Sequence, residues 1–259
     1  MPRFNANLTL LFNEVPFLER FAAARRAGFE AVEFLFPYAY APEVVAQAAA
    51  DAGVRIVLHN LPPGDWDAGE RGIACHPDRV AEFRAGVATG IRYALALGVP
   101  QLNCLAGLTP SGVPEGDIRS TLVSNLRYAA RALAEVNVRL LVEPINTFDM
   151  PGFYIHRTQQ CLDLLDEVGE PNVFLQYDIY HAQRMEGELA NTLRRAMPRI
   201  GHMQLADTPG RHEPGTGEIN FGFLFEHIDA LGYAGWIGCE YRPRAGTEAG
   251  LGWRTALTA

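Results

Sequence analysis

Along the chain, a short run of consecutive apolar residues closing on a polar one recurs eight times. The runs cover residues 4–8, 31–36, 54–60, 100–105, 138–144, 173–178, 200–207 and 236–241. Runs of this length without alternation are what strands covered on both faces require. Between them, apolar residues fall at helical spacing, as in Val80, Phe83, Val87, Ile91 and Ala94, or Ile118, Leu122, Leu126 and Leu133. Such stripes predict helices that lay one face on a sheet. Eight strands alternating with helices predict an α/β protein, a (β/α)8 TIM barrel forming a single domain over residues 1–259. An open doubly wound sheet shares this local grammar, but no glycine-rich nucleotide loop supports it. The Pro- and Gly-rich stretches 61–72, 109–116 and 208–217 each follow a strand. They read as loops of the active face, not as linkers.

Composition narrows the function. A formal charge of -8 disfavours nucleic acid as a partner, because binding a polyanion needs a surplus of cations. The longest apolar stretches, 31–37 and 136–142, are too short to cross a bilayer, and the first eleven residues are broken by Arg3, Asn5 and Asn7. The expectation is therefore a cytoplasmic protein with no membrane partner. Cys75, Cys104, Cys161 and Cys239 are widely spaced and form no CxxC pair, which speaks against a zinc knuckle or redox motif. All 22 basic residues are arginine, so mechanisms that need a lysine Schiff base or lysine general base are excluded.

In a barrel, the carboxyl ends of the strands share one mouth. Here those ends carry Asn7, Glu33, His59, Asn103, Glu143, Asp178, Gln204 and Glu240. Each alone has an ordinary explanation: Asp178 could cap a helix, Glu33 could pair with an arginine, and His59 could be a hydrogen-bonded core histidine. The set Glu143, Asp178, Gln204 and Glu240 is harder to explain so. Three carboxylates converging on an apolar mouth repel one another unless a cation neutralises them. Oxygen ligands favour one hard divalent ion, Mg²⁺ or Mn²⁺.

The strand-end phrases Leu141-Val142-Glu143-Pro144, Gln176-Tyr177-Asp178-Ile179-Tyr180-His181, His202-Met203-Gln204-Leu205-Ala206-Asp207 and Gly238-Cys239-Glu240-Tyr241 carry a family resemblance. So do Phe34-Leu35-Phe36-Pro37-Tyr38, His59-Asn60-Leu61-Pro62, Gly64-Asp65-Trp66, Ala68-Gly69-Glu70-Arg71-Gly72 and Met185-Glu186-Gly187-Glu188-Leu189. Over nearly its whole length the chain resembles the hydroxypyruvate isomerases of the xylose-isomerase-like barrel superfamily. The resemblance implies an aldose–ketose type isomerisation. Glu143 and Glu240 match the two glutamates assigned as proton donor and acceptor, and Asp178 and Gln204 match the remaining metal ligands. Many relatives carry a histidine where this chain has Gln204, so the departure is towards an all-oxygen site and away from zinc.

The implied substrate is a small hydroxy-oxo acid. His59 and His181 are candidates to hydrogen-bond its oxygens, and His181 matches a substrate-binding histidine of related sugar epimerases. Its carboxylate calls for a cation, either Arg71 after the third strand or Arg211 after the seventh. Arg211 is favoured, because its offset from Gln204 resembles that of a substrate-contacting arginine in those epimerases. Glu70 and Glu186 read as structural or loop-closing, and residues 213–218 as a lid-type loop. A 2-oxotetronate isomerase, acting on a four-carbon acid by the same chemistry, is the nearest alternative. A DNA-repair endonuclease on this barrel would need several zinc ions, more strand-end histidines and a basic groove. A non-catalytic metabolite-binding protein would not need two acids flanking a metal. A homo-oligomer built through the outer helices is compatible with the pattern.

Overall fold

All eight apolar runs contain strands. In the computed structural model, which describes residues 2–257, these are β1 (Arg3–Asn7), β2 (Ala31–Glu33), β3 (Arg55–Asn60), β4 (Gln101–Cys104), β5 (Arg139–Val142), β6 (Val173–Asp178), β7 (Ile200–Leu205) and β8 (Trp236–Cys239). They close in sequence order into a barrel, all parallel, with Arg3 opposite Trp236 and Ala6 opposite Cys239 at the closing seam. Six of the strands are shorter than their apolar runs, whereas β1 and β6 are as long as theirs. Strand β2 is only three residues long, and its register with β3 shifts between Val32 and Glu33. Glu143 and Glu240 each stand one residue beyond their strand.

The outer layer begins with α1 (Phe17–Arg26), α2 (Pro42–Ala52), α3 (Val80–Leu97), α4 (Glu115–Ala134) and α5 (Thr158–Val168). It continues with α6 (Ile179–Met185), α7 (Leu189–Ala196), α8 (Phe221–Ala230) and the short α9 (Trp253–Ala256). On α4 the stripe Ile118, Leu122, Leu126 and Leu133 is buried as its spacing predicts. On α3, Phe83, Val87 and Ala94 are buried, whereas Val80 and Ile91 are only half-buried. Gly90 and Tyr93 complete the inner face instead, because Leu61 packs onto Gly90 where a Cβ would overlap it. Helices α2, α3 and α5 end on Gly53, Gly98 and Gly169 in the left-handed conformation, which costs glycine no Cβ clash. All four cysteines are free and buried. No helix among the described residues is long and apolar enough to cross a membrane.

Inward-pointing residues of a parallel barrel normally form layers of branched apolar side chains. Here the layers nearest the mouth are polar: Asn5 and Asn7 on β1, Gln176 and Asp178 on β6, and His202 and Gln204 on β7 are all buried. Their spacing of two puts each pair on one side of its strand. Gly238 on β8 has no side chain, and a Cβ there would overlap the Glu33 carboxylate, so the glycine makes room for that acid inside the lumen.

The loop after β3 packs on the loop after β4 through Gly72, where a Cβ would overlap the Leu105 carbonyl. Gly72 also has φ +103°, a conformation strained for any other residue. Gly72→Ala is expected to cost at least about 1–3 kcal/mol, read as a lower urea midpoint. An unchanged midpoint would mean that the two loops do not depend on this contact.

Candidate active site

Asp178 ends β6 and starts α6 without an intervening loop. Its Oδ1 accepts the Tyr180 backbone N–H at 2.8 Å, so it is a helix cap as well as a mouth residue. The other oxygen, Oδ2, is buried without a hydrogen-bond partner. Around it, single ligand atoms of Glu143, Asp178, His181 and Glu240 all lie within 4.8 Å of one another. Glu143 is fixed by Asn103, whose Nδ2 donates to its Oε2 at 2.9 Å. Glu240 accepts Asn7 Nδ2 at 3.3 Å on one oxygen and Arg211 Nη2 at 2.8 Å on the other.

Burial dominates the electrostatics of this cluster. It drives the Glu143 carboxyl well above the usual range, with Glu240 and Asp178 adding to the push. Glu240 rises to about 8 through burial, which Arg211 opposes and Asp178 reinforces. Asp178 also rises through burial, against the pull of Arg211. Arg211 is itself buried, which disfavours its charge, but Glu240, Asp178 and Glu143 outweigh that and hold it firmly protonated. Three acids and one arginine leave a charge deficit that a divalent ion would cancel.

The two histidines have opposite polarity. Asn146 accepts the backbone N–H groups of Phe148 and Asp149 on its Oδ1, at 3.1 and 2.9 Å, so its Nδ2 is the atom that meets His181 Nδ1 at 2.6 Å. His181 Nδ1 is therefore the acceptor and Nε2 carries the proton, 3.5 Å from Asp178 and 3.8 Å from Glu143. Burial, then Arg211 and Arg184, holds His181 well below its ordinary pKa, hence neutral. It stands in the cluster as a hydrogen donor, which leaves the oxygens to hold a cation. His59 is reversed: Nδ1 donates to the Asn60 carbonyl at 3.0 Å, and Nε2 is a buried acceptor without a partner. Burial lowers its pKa to about 4.

Gln204 lies opposite Asp178 in the β6–β7 ladder. Its Nε2 donates to Glu33 at 2.7 Å, and its Oε1 accepts Gln176 Nε2 at 2.6 Å. Arg211 reaches the cluster from a residue at φ +54°, and its Nε is buried without an acceptor. Arg71, by contrast, stays in its own loop, 4.1 Å from the centroid of the Trp66 ring and bonded to the Trp66 and Glu70 carbonyls. Glu70 pairs with Arg79, and Glu186 accepts the Thr158 backbone N–H, so both serve structure. Residues 213–218, read from sequence as a lid, are braced from below. Asp207 accepts the backbone N–H groups of Thr208, Gly215, Gly217 and Ile219, at 2.9 to 3.2 Å. Glu33 pairs with His202 at 2.6 Å, not with an arginine.

Residues 21–257 match the family model described as xylose isomerase-like TIM barrel. The chain is 56% identical over 253 residues to hydroxypyruvate isomerase of Escherichia coli, covering 98% of each chain. It is 49% identical to 2-oxo-tetronate isomerase of Cupriavidus necator, over 98% of this chain and 97% of that one. A solved structure described as an AP endonuclease of family 2, from Brucella melitensis, superposes with a TM-score of 0.97 at 46% identity and covers 99% of both chains.

The raised carboxyls predict a pH dependence in chelator-treated protein. A folded state whose Glu240 titrates at about 8 instead of 4.5 binds the extra proton between those values. The stability it contributes is complete below 4.5 and is lost as pH rises through about 8. The melting temperature is therefore expected to fall across this window, less steeply in Glu240→Gln and less steeply with saturating Mn²⁺. Identical slopes in all three samples would contradict the crowding of these acids.

Proposed function

The chain belongs to the xylose isomerase-like TIM barrel family, and on that premise we propose that it is an isomerase interconverting hydroxypyruvate and tartronate semialdehyde (2-hydroxy-3-oxopropanoate). The observation that carries the reading is the pair Glu143 and Glu240, buried in one cluster with Asp178 and with the donor His181. The substrate has a carbonyl at C2 beside a hydroxymethyl group at C3. One glutamate takes a proton from C3 and the other delivers one to C2, while the O3 hydroxyl proton passes to O2. Atoms and electrons balance without a redox cofactor. In the ion-free cluster, mutual repulsion favours one protonated and one ionised carboxyl at a time.

Neutral His181 directs its Nε2–H towards the oxygen that gains negative charge in the enediolate. His59, with its bare Nε2, accepts from a substrate hydroxyl. The unpaired Nε–H of Arg211 is a donor for the substrate carboxylate. Arg71 is the second candidate for that role and would have to leave Trp66 to fill it.

The donor set fits one hard divalent ion, Mg²⁺ or Mn²⁺, held by Glu143, Asp178, Gln204 and Glu240. The unpartnered Asp178 Oδ2 and the deficit of positive charge support this. When bound, such an ion supplies Lewis-acid stabilisation of the enediolate charge. A four-carbon oxo acid as substrate is the second reading, favoured by the 49% identity to the 2-oxo-tetronate isomerase. Hydroxypyruvate ranks first on the 56% identity to the isomerase named for it. The solved relative described as an endonuclease does not move this ranking, because the cluster holds three carboxylates and a single histidine. A protein with a net charge of -8 is also poorly suited to bind DNA.

The test is NMR in D2O on chelator-treated protein, with hydroxypyruvate and with a 2-oxotetronate, with and without Mg²⁺ or Mn²⁺. Metal-dependent turnover and deuterium incorporation are expected. Glu143→Gln and Glu240→Gln should each lose at least about 10²-fold in kcat, the scale of a positioned acid or base. Turnover of the four-carbon acid alone would move the assignment to the second reading, and no turnover of either would overturn both.

A further inference from the structure

Glu33 is buried in the barrel lumen and is absent from the cluster that could hold a cation. Four N–H donors converge on its carboxylate. Asn5 Nδ2 at 2.8 Å and His202 Nε2 at 2.6 Å meet Oε2, while Asn7 Nδ2 at 3.0 Å and Gln204 Nε2 at 2.7 Å meet Oε1. Both Glu33 oxygens therefore act as acceptors, and each of the four partners turns a nitrogen towards them.

That requirement settles which end of each carboxamide faces which way. Asn7 turns its oxygen to the backbone N–H of Thr9 at 3.0 Å. Gln204 has its nitrogen consumed by Glu33, so its carbonyl oxygen is the atom left for other partners. Gln176 Nε2 takes one lone pair of that oxygen, and the second remains for a cation. With the amide reversed, Gln204 would offer its NH2 group, which cannot ligate a metal. We propose that Glu33 is a positioning residue of the metal site, which fixes the Gln204 carboxamide with its oxygen available for ligation. Gly238 is part of the device, because any Cβ there would displace the Glu33 carboxylate. The proposal rests on the reading of Gln204 as a ligand, given under the proposed function.

The experiment is a double-mutant cycle read by Mn²⁺ binding, not by turnover. Chelator-treated wild type, Glu33→Gln, Gln204→Ala and the double variant are titrated with Mn²⁺ by electron paramagnetic resonance, with circular dichroism to show that each folds. Glu33→Gln puts an NH2 group among four donors and frees the Gln204 amide to turn. It is expected to weaken Mn²⁺ binding by about 10- to 100-fold, the usual cost of losing an outer-sphere partner of a metal ligand. In the Gln204→Ala background the same substitution should change binding by no more than about twofold.

Wild-type affinity in Glu33→Gln, or losses that multiply in the double variant, would overturn the proposal. Wild-type affinity in Gln204→Ala would remove the ligand reading itself, and the positioning role with it. If Glu33→Gln does not fold, Glu33→Asp keeps the charge opposite His202 and withdraws the carboxylate from Gln204 by one methylene. The same cycle is then read with that variant: a loss that disappears in the Gln204→Ala background supports the proposal, and wild-type affinity or an unchanged loss overturns it.

Discussion

The mutual repulsion of Glu143, Asp178 and Glu240 is the constraint around which the mouth of this barrel is organised. Bringing three carboxyls into a buried space costs far more than the packing of any one side chain returns. The protein meets part of that cost with Arg211 and with the amides of Asn7 and Asn103. The remainder stays as proton uptake, visible in the raised pKa values of all three acids. A cluster so loaded is poised both to take up a cation and to exchange protons, the two properties on which the proposed isomerisation depends.

Beneath the cluster lies a further buried acid with the opposite electrostatic outcome. Glu33 is as deeply buried as Glu240, but it meets four donors and no competing carboxylate at bonding distance, so it ionises readily. The contrast comes from partners, not from depth. Burial raises both acids, and the number and sign of their neighbours decide whether that rise survives. One barrel thus holds an acid pushed towards its ionised form in one layer and acids pushed towards their protonated form in the next.

Much of this was legible in the sequence. Eight apolar runs at the spacing of a βα repeat imply the barrel, and the polar residue ending each run points to the mouth. Glu143, Asp178, Glu240 and Arg211 come together where that logic puts them. The layer below was less apparent, although Asn5/Asn7, Gln176/Asp178 and His202/Gln204 each repeat a polar residue two positions apart within an apolar strand. That period of two marks the same inward side and could have revealed the lumenal network. Two features left no sequence signal. The roles of Asn146 in setting the His181 tautomer and of Asp207 in bracing residues 208–219 depend on backbone groups that meet only in the folded loops. Arg71 fell outside reach for a similar reason: its stacking on Trp66 is a contact within one loop.

The chemistry of Arg211 connects these points to composition. The cation in the cluster must keep its charge while buried beside acids that readily hold protons. A lysine ammonium placed there could pass its proton to a neighbouring carboxylate and leave the site without a cation. A guanidinium does not do so, because its intrinsic pKa lies far above anything burial can take away, and here the acids raise it further. Its planar fork also lets one nitrogen hold Glu240 while another, Nε, stays free for a second acceptor. The arginine at position 211 therefore combines a fixed charge with an unspent donor. That combination can offset part of the charge of three carboxylates and still leave a donor for the carboxylate of a small acid.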